Sequence, residues 1–372
     1  MGQEPIPLLD LEFQYDDISG SLEPALIDFC RGQRYILGQP VQELEQRIAE
    51  FCGMKFAIGV SSGSDAILAS LMACGLKPGD LVATTPFTFF ATAGAIARVG
   101  AIPVFVDIDP QTFNIDIEKL AEVCRKKDVA AIIPVDLFGQ MARLDAIMEI
   151  SQDLGPRTIE DAAQAIGAQL NDRSIGFYTD LCCLSFFPSK NLGCFGDGGM
   201  ILTDDSDLAD LCQRLRNHGA KPKYYHQVIG GNFRLDAMQA VVLLNKTYFL
   251  KKWTSMRIEN AGFYDFLFKD TPIGVPFRDK DCLHVFNQYT IRIPDGKRDK
   301  VRDLLKANNI GCEVYYPKPL HLQPCFSGLG YKEGDLPAAE AASREVLSLP
   351  VYPGLKVEQQ ERVAQVVLAA LE

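Results

Sequence analysis

Seven short apolar runs, separated by stretches with helical spacing, constrain this chain more than any other feature. "FAIGV" (56–60), "LVATT" (81–85), "PVFVDI" (103–108), "AAIIPV" (130–135), "TIED" (158–161), "LCCLSF" (181–186) and "MILT" (200–203) read as strands. They are apolar almost throughout instead of alternating, so both faces must be covered, which predicts a mainly parallel sheet between two layers of helices. The intervening segments agree: Ser64–Cys74 and Ile117–Lys126 are amphipathic, with Ile67, Leu68, Leu71 and Met72 on one face of the first. In such open sheets ligands bind beyond the carboxyl ends of the strands. The residues just after each run are therefore where chemistry is expected.

Beyond about Leu243 the texture changes. A long helical stretch, "LDAMQAVVLLNKTYFLKKW", leads to a strand in "NQYTIRI", a helix in "KRDKVRDLLKANN", the run "CEVYY" and a last helix from about Val357. The expected organisation is a large domain over residues 1–245 and a smaller α+β domain over residues 246–372. With 372 residues, 47% of them hydrophobic, the chain can bury a core in each.

Charge and cysteine usage narrow the function. The 37 basic and 48 acidic residues leave a net charge of −11, which argues against a nucleic-acid groove or a basic membrane patch. "MGQEPIPLLDLEFQ" lacks a basic segment followed by an apolar run, so no signal peptide is expected. Met1-Gly2 opens the chain, but Ile6 stands where a myristoylation signal wants Ser or Thr. No stretch approaches the roughly 20 apolar residues needed to cross a bilayer. The eleven cysteines are irregularly spaced with no C-x-x-C pair, as expected of free thiols in a reducing cytoplasm. None of the four histidines (His218, His226, His284 and His321) lies at ligand spacing from a cysteine pair, so no metal is expected. The run "CRKKD" (124–128) reads as the solvated end of a helix.

Three strand ends carry candidate chemistry. After "FAIGV", Ser61, Ser62, Gly63 and Ser64 lead into a helix, where free N–H groups can hold a phosphate, or where Ser62 or Ser64 simply caps. After "TIE" comes Asp161, either a cap for the next segment or a carboxylate aimed at a protonated ring nitrogen. Beyond "LCCLSF" lie Ser185 and then Lys190 in "SFFPSKNLGCFGDGG"; its glycines lead into a strand, unlike a dinucleotide fingerprint. An anion cradle, an acid and an amine at successive strand ends together suit pyridoxal 5'-phosphate. Phe89, in "PFTFFAT", could stack on its ring or belong to the core.

Over nearly its whole length the chain resembles the DegT/DnrJ/EryC1/StrS family of nucleotide-sugar aminotransferases. The resemblance rests on "YILGQPVQELEQRIAEFCG", "SSGSDAI", "PFTFFAT", "VDIDPQTFNID", "PVDLFGQ", "IEDAAQAIGA", "SFFPSKNLGCFGDGG", "GGNFRLDAMQA" and "YYPKPLHLQPCF", in that order. It implies the α/β fold of type I pyridoxal-phosphate transferases, like aspartate aminotransferase. It further implies that Lys190 forms a Schiff base with the cofactor and then moves protons, that Asp161 faces the ring nitrogen, and that Gln164 lies near the phenolic oxygen. Phe89 would stack on the ring; Gly63, Ser64 and Ser185 would hold the phosphate, with Asn232 arriving from the second subunit of a homodimer with shared active sites. Members with histidine in place of the lysine remove a hydroxyl; lysine here implies transamination.

Within the family, the resemblance runs closest to enzymes that aminate carbon 3 of UDP-2-acetamido-2-deoxy-3-oxo-hexuronate, with L-glutamate as donor, for surface polysaccharide such as lipopolysaccharide. A uronate carboxylate needs a cation, for which Arg234 is the candidate, a structural ion pair being the alternative for that residue. Tyr315 stands where that subgroup carries histidine and cannot serve as a cation. Tyr316 and His321 complete the expected substrate-side set with Tyr315. Alternatives are a 3-keto or 4-keto dTDP- or UDP-hexose as substrate, a cofactor-binding regulator without turnover, and a cysteine desulfurase using Cys194.

Overall fold

The apolar runs fold as β1 (Phe56–Val60), β2 (Leu81–Thr84), β3 (Ile102–Phe105), β4 (Val129–Ile133) and β5 (Arg157–Asp161). The short strands β6 (Gln169–Leu170) and β7 (Arg173–Ser174) follow, then β8 (Leu181–Ser185), β9 (Gly199–Thr203) and β10 (Cys282–Leu283). A seven-stranded sheet runs in the order β1-β9-β8-β5-β4-β2-β3. Its neighbours are parallel except for β9, which runs antiparallel to both β1 and β8. The computed structural model describes residues 4–371; the Met1-Gly2 start and Glu372 lie outside the described residues.

Among the described residues twelve α-helices surround this sheet and continue beyond it: α1 (Glu12–Gly32), α2 (Gln39–Cys52), α3 (Gly63–Ala73), α4 (Ala91–Arg98), α5 (Ile117–Lys126) and α6 (Leu144–Leu154) come first. They are followed by α7 (Ser206–Leu215), α8 (Ala237–Thr247), α9 (Leu250–Leu267), α10 (Arg298–Ala307), α11 (Pro337–Glu345) and α12 (Val357–Ala369). Alternate residues of one strand enter opposite layers, as the two-residue period requires. Cys182 and Leu184 of β8 pack with Leu44, Ile48, Leu120, Leu144 and Leu243 from α2, α5, α6 and α8. Leu181 and Cys183 pack with Ile67, Leu71, Ile96, Leu208 and Cys212 from α3, α4 and α7.

Helix α3 differs from the amphipathic reading of its sequence. Ala66, Ile67, Leu68, Ala69, Ser70, Leu71 and Ala73 are all buried, because the helix packs on the sheet with α4 and α7 alongside it. Its one deep polar group, Ser70 Oγ, is 3.3 Å from Cys183 Sγ. The end of α5 is as expected: Cys124 is buried while Arg125, Lys126 and Lys127 are exposed.

The C-terminal half adds an antiparallel pair, β11 (Tyr289–Arg292) and β12 (Val346–Leu349). The long helical stretch is two helices, interrupted at Tyr248–Phe249, and "CEVYY" contributes only an isolated bridge between Glu313 and Ser348. Tyr264, Tyr289, Ile291, Val301, Leu305, Leu347 and Val363 form a core continuous with Phe87, Ile108, Phe113, Val135 and Phe138. The latter group follows the carboxyl ends of the large sheet, so the C-terminal elements pack against the edge where ligands are expected. No helix among the described residues is long and apolar enough to cross a membrane. All eleven cysteines are free.

Close packing at that edge depends on Gly199, where a Cβ would lie 2.4 Å from both the carbonyl carbon and oxygen of Ser62. Gly199→Ala is expected to destabilise the protein by about 1–3 kcal/mol, the usual cost of overpacking. Gly262→Ala, in α9 with nothing within 4 Å of the new methyl, is expected to stabilise it by about 0.5–1 kcal/mol. Denaturant unfolding of the two variants measures both effects.

Candidate active site

Register brings the strand-end residues into one row. Val60 pairs with Gly199, Gly199 pairs with Ser185, and Asp161 pairs with Cys183 on the same strand as Ser185. Because β9 is antiparallel, its first residue lies at the edge where β1, β5 and β8 end.

The first component is an anion cradle. Ser62 caps α3, its Oγ accepting the Asp65 N–H at 3.1 Å, so capping does not occupy Ser64. Ser61 Oγ donates to the same aspartate at 2.7 Å. Among the described residues the N–H groups of Gly63 and Ser64 find no protein acceptor, leaving free donors at a helix N-terminus. A Cβ on Gly63 would fill this space, 2.7 Å from Ser185 Cβ.

Asp161 ends β5 and is 5% exposed. Thr92 Oγ1 donates to its Oδ2 at 2.7 Å, and the Ala163 N–H reaches its Oδ1 at 3.3 Å. Burial raises its pKa, while these two donors and the charge of Lys190 act in the opposite direction. Such a carboxylate, held by oriented donors yet poorly hydrated, is suited to a cationic partner.

Lys190 sits in the connection between β8 and β9. That loop is closed by the Phe186 N–H donating to Gly198 O and the Cys194 N–H to Phe186 O, both at 2.8 Å. Burial brings the Lys190 amine down to about 8, against the opposing pull of Asp161. Lys246 of α8 secures the loop by donating to Gly193 O at 2.6 Å, while Asn191 Nδ2 donates to Val285 O at 3.0 Å. Cys194 is wholly buried, its Sγ 2.9 Å from Phe186 O, and burial raises its pKa. A thiol so placed is neither mobile nor ionised, unlike the nucleophile a desulfurase needs.

Gln164 is buried beside this group, its Oε1 accepting the Phe138 N–H at 2.6 Å and its Nε2 donating to the Tyr316 hydroxyl at 3.4 Å. Burial and the charge of Asp161 raise the Tyr316 pKa. The "PFTFFAT" segment divides: Phe87 is wholly buried in the core, whereas Phe89 is 60% exposed, its ring 6.4 Å from that of Tyr316. Tyr315 packs against Tyr316 with ring centroids 5.8 Å apart.

The remaining candidates lie apart from this cluster or at its margin. Phe233 O accepts the Ser61 N–H at 2.9 Å, so the segment carrying Asn232 and Arg234 is tied to the end of β1. Asn232 is exposed. Arg234 Nη1 donates to Asn217 Oδ1 at 2.8 Å, and no carboxylate among the described residues pairs with it, so the ion-pair alternative is not what the structure holds. His321 is buried, with Nε2 3.2 Å from Glu340 Oε1 and its ring against Tyr331. The sequence reading did not single out Thr92 or Lys246; each acquires its role only through burial against a residue distant in sequence. No metal-binding group of three or more His, Cys, Asp or Glu occurs among the described residues.

A cradle of free N–H groups, a held carboxylate and a neutralisable amine on one sheet edge fit pyridoxal phosphate. Comparison with known proteins places the geometry in a family. The profile of the DegT/DnrJ/EryC1/StrS aminotransferase family matches residues 17–368. A Geobacillus stearothermophilus protein named "Pleiotropic regulatory protein" is 50% identical over 97% of each chain. The Pseudomonas aeruginosa UDP-2-acetamido-2-deoxy-3-oxo-D-glucuronate aminotransferase is 40% identical over 94% of this chain and 96% of its own. Among solved structures, S. venezuelae DesV in complex with a ketimine intermediate superposes with a TM-score of 0.96 at 36% identity, covering 100% of this chain and 99% of that one.

The electrostatics yield a signed prediction. Asp161 is the one charge that favours the Lys190 ammonium, so Asp161→Asn is expected to move the amine further below about 8. NMR titration of the lysine amine in cofactor-free protein measures this, and an unchanged or raised value contradicts it.

Proposed function

The chain belongs to the DegT/DnrJ/EryC1/StrS aminotransferase family, and from that premise we propose that it transfers an amino group from L-glutamate to a keto carbon of a nucleotide-linked sugar. Its cofactor is pyridoxal 5'-phosphate. When bound, that cofactor supplies an aldehyde to carry the amino group and a ring to accept the electrons freed at the donor's α-carbon. The observation that carries the reading is the placement of Lys190 on the same sheet edge as Asp161 and the free N–H groups of α3.

Each residue then has a role within reach of its chemistry. Lys190 holds the cofactor's reactive carbon and, once displaced by the donor amine, moves the proton at the donor's α-carbon as general base and acid. A pKa near neutrality keeps part of the amine uncharged and ready to accept it. Asp161, held by Thr92, keeps a proton on the ring nitrogen. Gly63, Ser64 and Ser185 bind the phosphate, Gln164 orients the phenolic oxygen, and Phe89 covers the ring. Asn232 lies on an exposed segment whose Tyr224, Tyr225 and Ile229 are 78%, 70% and 90% exposed, which suits a loop reaching the second subunit of a homodimer. Residues 1–245 would bind the cofactor and 246–372 would close over it, in a cytoplasmic enzyme.

For the sugar, the reading is C3 of UDP-2-acetamido-2-deoxy-3-oxo-hexuronate, serving surface polysaccharide synthesis. The name of the Pseudomonas relative supports it, as does an Arg234 guanidinium with no carboxylate partner among the described residues. A neutral 3-keto or 4-keto hexose is the alternative. Tyr315 and Tyr316 would donate to hydroxyl or phosphate oxygens in either case, and His321 would act on the substrate side only through the loop it anchors. The name of the Geobacillus relative favours a second reading, a cofactor-binding regulator without turnover.

Mass spectrometry of candidate UDP- and dTDP-linked keto sugars incubated with protein and L-glutamate tests the proposal. Amination is expected, and Lys190→Ala should lower it by at least about 10³-fold, the scale of losing a positioned acid–base group. Arg234→Gln is expected to raise KM for the uronate by about 10–100-fold and leave a neutral hexose unchanged, as for loss of a hydrogen bond to a charged group. Failure of every sugar would favour the regulator.

A further inference from the structure

Beneath the candidate site, on the other face of the sheet, two acidic side chains meet with no base between them. Glu160 immediately precedes Asp161 on β5, so the two point to opposite faces. Glu160 and Asp136 are both 0% exposed. Half of each carboxyl group is satisfied: Glu160 Oε2 accepts from the Gly176 N–H at 2.8 Å and Thr179 Oγ1 at 3.0 Å, and Asp136 Oδ1 accepts from the Ala142 N–H at 2.8 Å. The other halves, Glu160 Oε1 and Asp136 Oδ2, find no donor among the described residues. The two carboxyl groups are neighbours on this face, because Val135 and Asp161 form a parallel bridge and Asp136 and Glu160 each lie one residue from it.

Two acceptors can meet this way only around a proton. Ionising both would leave two charges in the core, where each costs several kcal/mol without a partner. The titratable groups facing them are Asp161 on β5, the thiols of Cys182 on β8 and Cys52 on α2, and, toward Asp136, Cys282 on β10; none is cationic. Protonating both would give up the charge that strengthens the bonds from Gly176 and Thr179. A metal does not resolve the conflict, because among the described residues no third ligand joins the pair.

We propose that Asp136 and Glu160 share a single proton. The Asp136 N–H donates to Asp161 O at 3.1 Å, and the Asp161 N–H to Pro134 O at 2.9 Å. The same turn presents the Phe138 N–H to Gln164 at 2.6 Å. The bridge thus ties the turn after β4 to the strand that carries Asp161 and fixes the partner of Gln164. Burial raises the pKa of both groups, in agreement with a retained proton.

The consequence is a proton held in the folded state and released on unfolding, since free carboxyls are ionised above about pH 5. With the folded pKa raised, the stability it confers is present at low pH and is lost as pH rises toward the pair's own titration. The test compares unfolding of the wild-type holoenzyme with Asp136→Asn and Glu160→Gln, in which an amide N–H replaces the shared proton and the remaining carboxyl is ionised in both folded and unfolded states above about pH 5. From about pH 5 upward, the wild-type folding constant should fall about tenfold per pH unit relative to each amide variant, the slope of one linked proton. Parallel pH dependences for wild type and a folded amide variant would overturn the proposal. So would failure of both variants to fold, because an amide should satisfy the same two oxygens. The readout is stability, so it stands or falls independently of which sugar, if any, is aminated.

Discussion

Strand β9 enters the sheet from the edge at which β1, β5 and β8 end, and at Gly199 it carries no side chain to hold Ser62 away. That close approach sets the position of the loop before α3, and with it the free N–H groups that face Ser185. The antiparallel pairing with β8 also makes residues 186–198 a connection between adjacent strands, so Lys190 cannot stray from the sheet edge. A parallel strand in that place would have to enter from the opposite edge, and the lysine and the cradle would part. Lys246, reaching Gly193 from α8, then limits how far the loop can breathe.

Within this frame two opposite charges are held where water is scarce. Burial drives the Lys190 amine and the Asp161 carboxyl each toward its neutral form, and each opposes that drift in the other. Thr92 offsets part of that drift for the aspartate by donating to it directly. The result is an acid whose pKa stays raised by burial but less than burial alone would raise it, and an amine whose pKa is close enough to neutrality to give up and take back a proton. Glu160 and Asp136 carry the same conflict to the far side of the sheet with no cation to answer it, which is why a shared proton is needed there.

Much of this edge was legible in the sequence because buried parallel strands announce themselves as unbroken apolar runs, and the residues after them fall at one edge by topology. Lys190, Asp161 and the Ser62–Ser64 segment were readable in that way. Periodicity was less informative for α3, where burial extends beyond one face because α4 and α7 pack alongside. It also failed to separate α8 from α9, whose apolar spacing continues across Tyr248–Phe249, and it could not show that "CEVYY" has only one bridging partner. Thr92, Lys246 and the Asp136–Glu160 pair were invisible for a different reason: each is an ordinary residue until burial removes its water. At the substrate end, Asn232 and Arg234 lie in a segment without periodicity, so the sequence placed them only through resemblance.

The central claim is that Lys190 holds a cofactor that exchanges amino groups with a donor. The most direct measurement is the visible absorption spectrum of the purified protein before and after L-glutamate. The account predicts a yellow form that bleaches with glutamate and returns when a suitable keto sugar is added. Absence of the yellow form after incubation with pyridoxal phosphate would contradict the role given to Lys190. A yellow form that neither glutamate nor other amino donors bleach would contradict transamination itself.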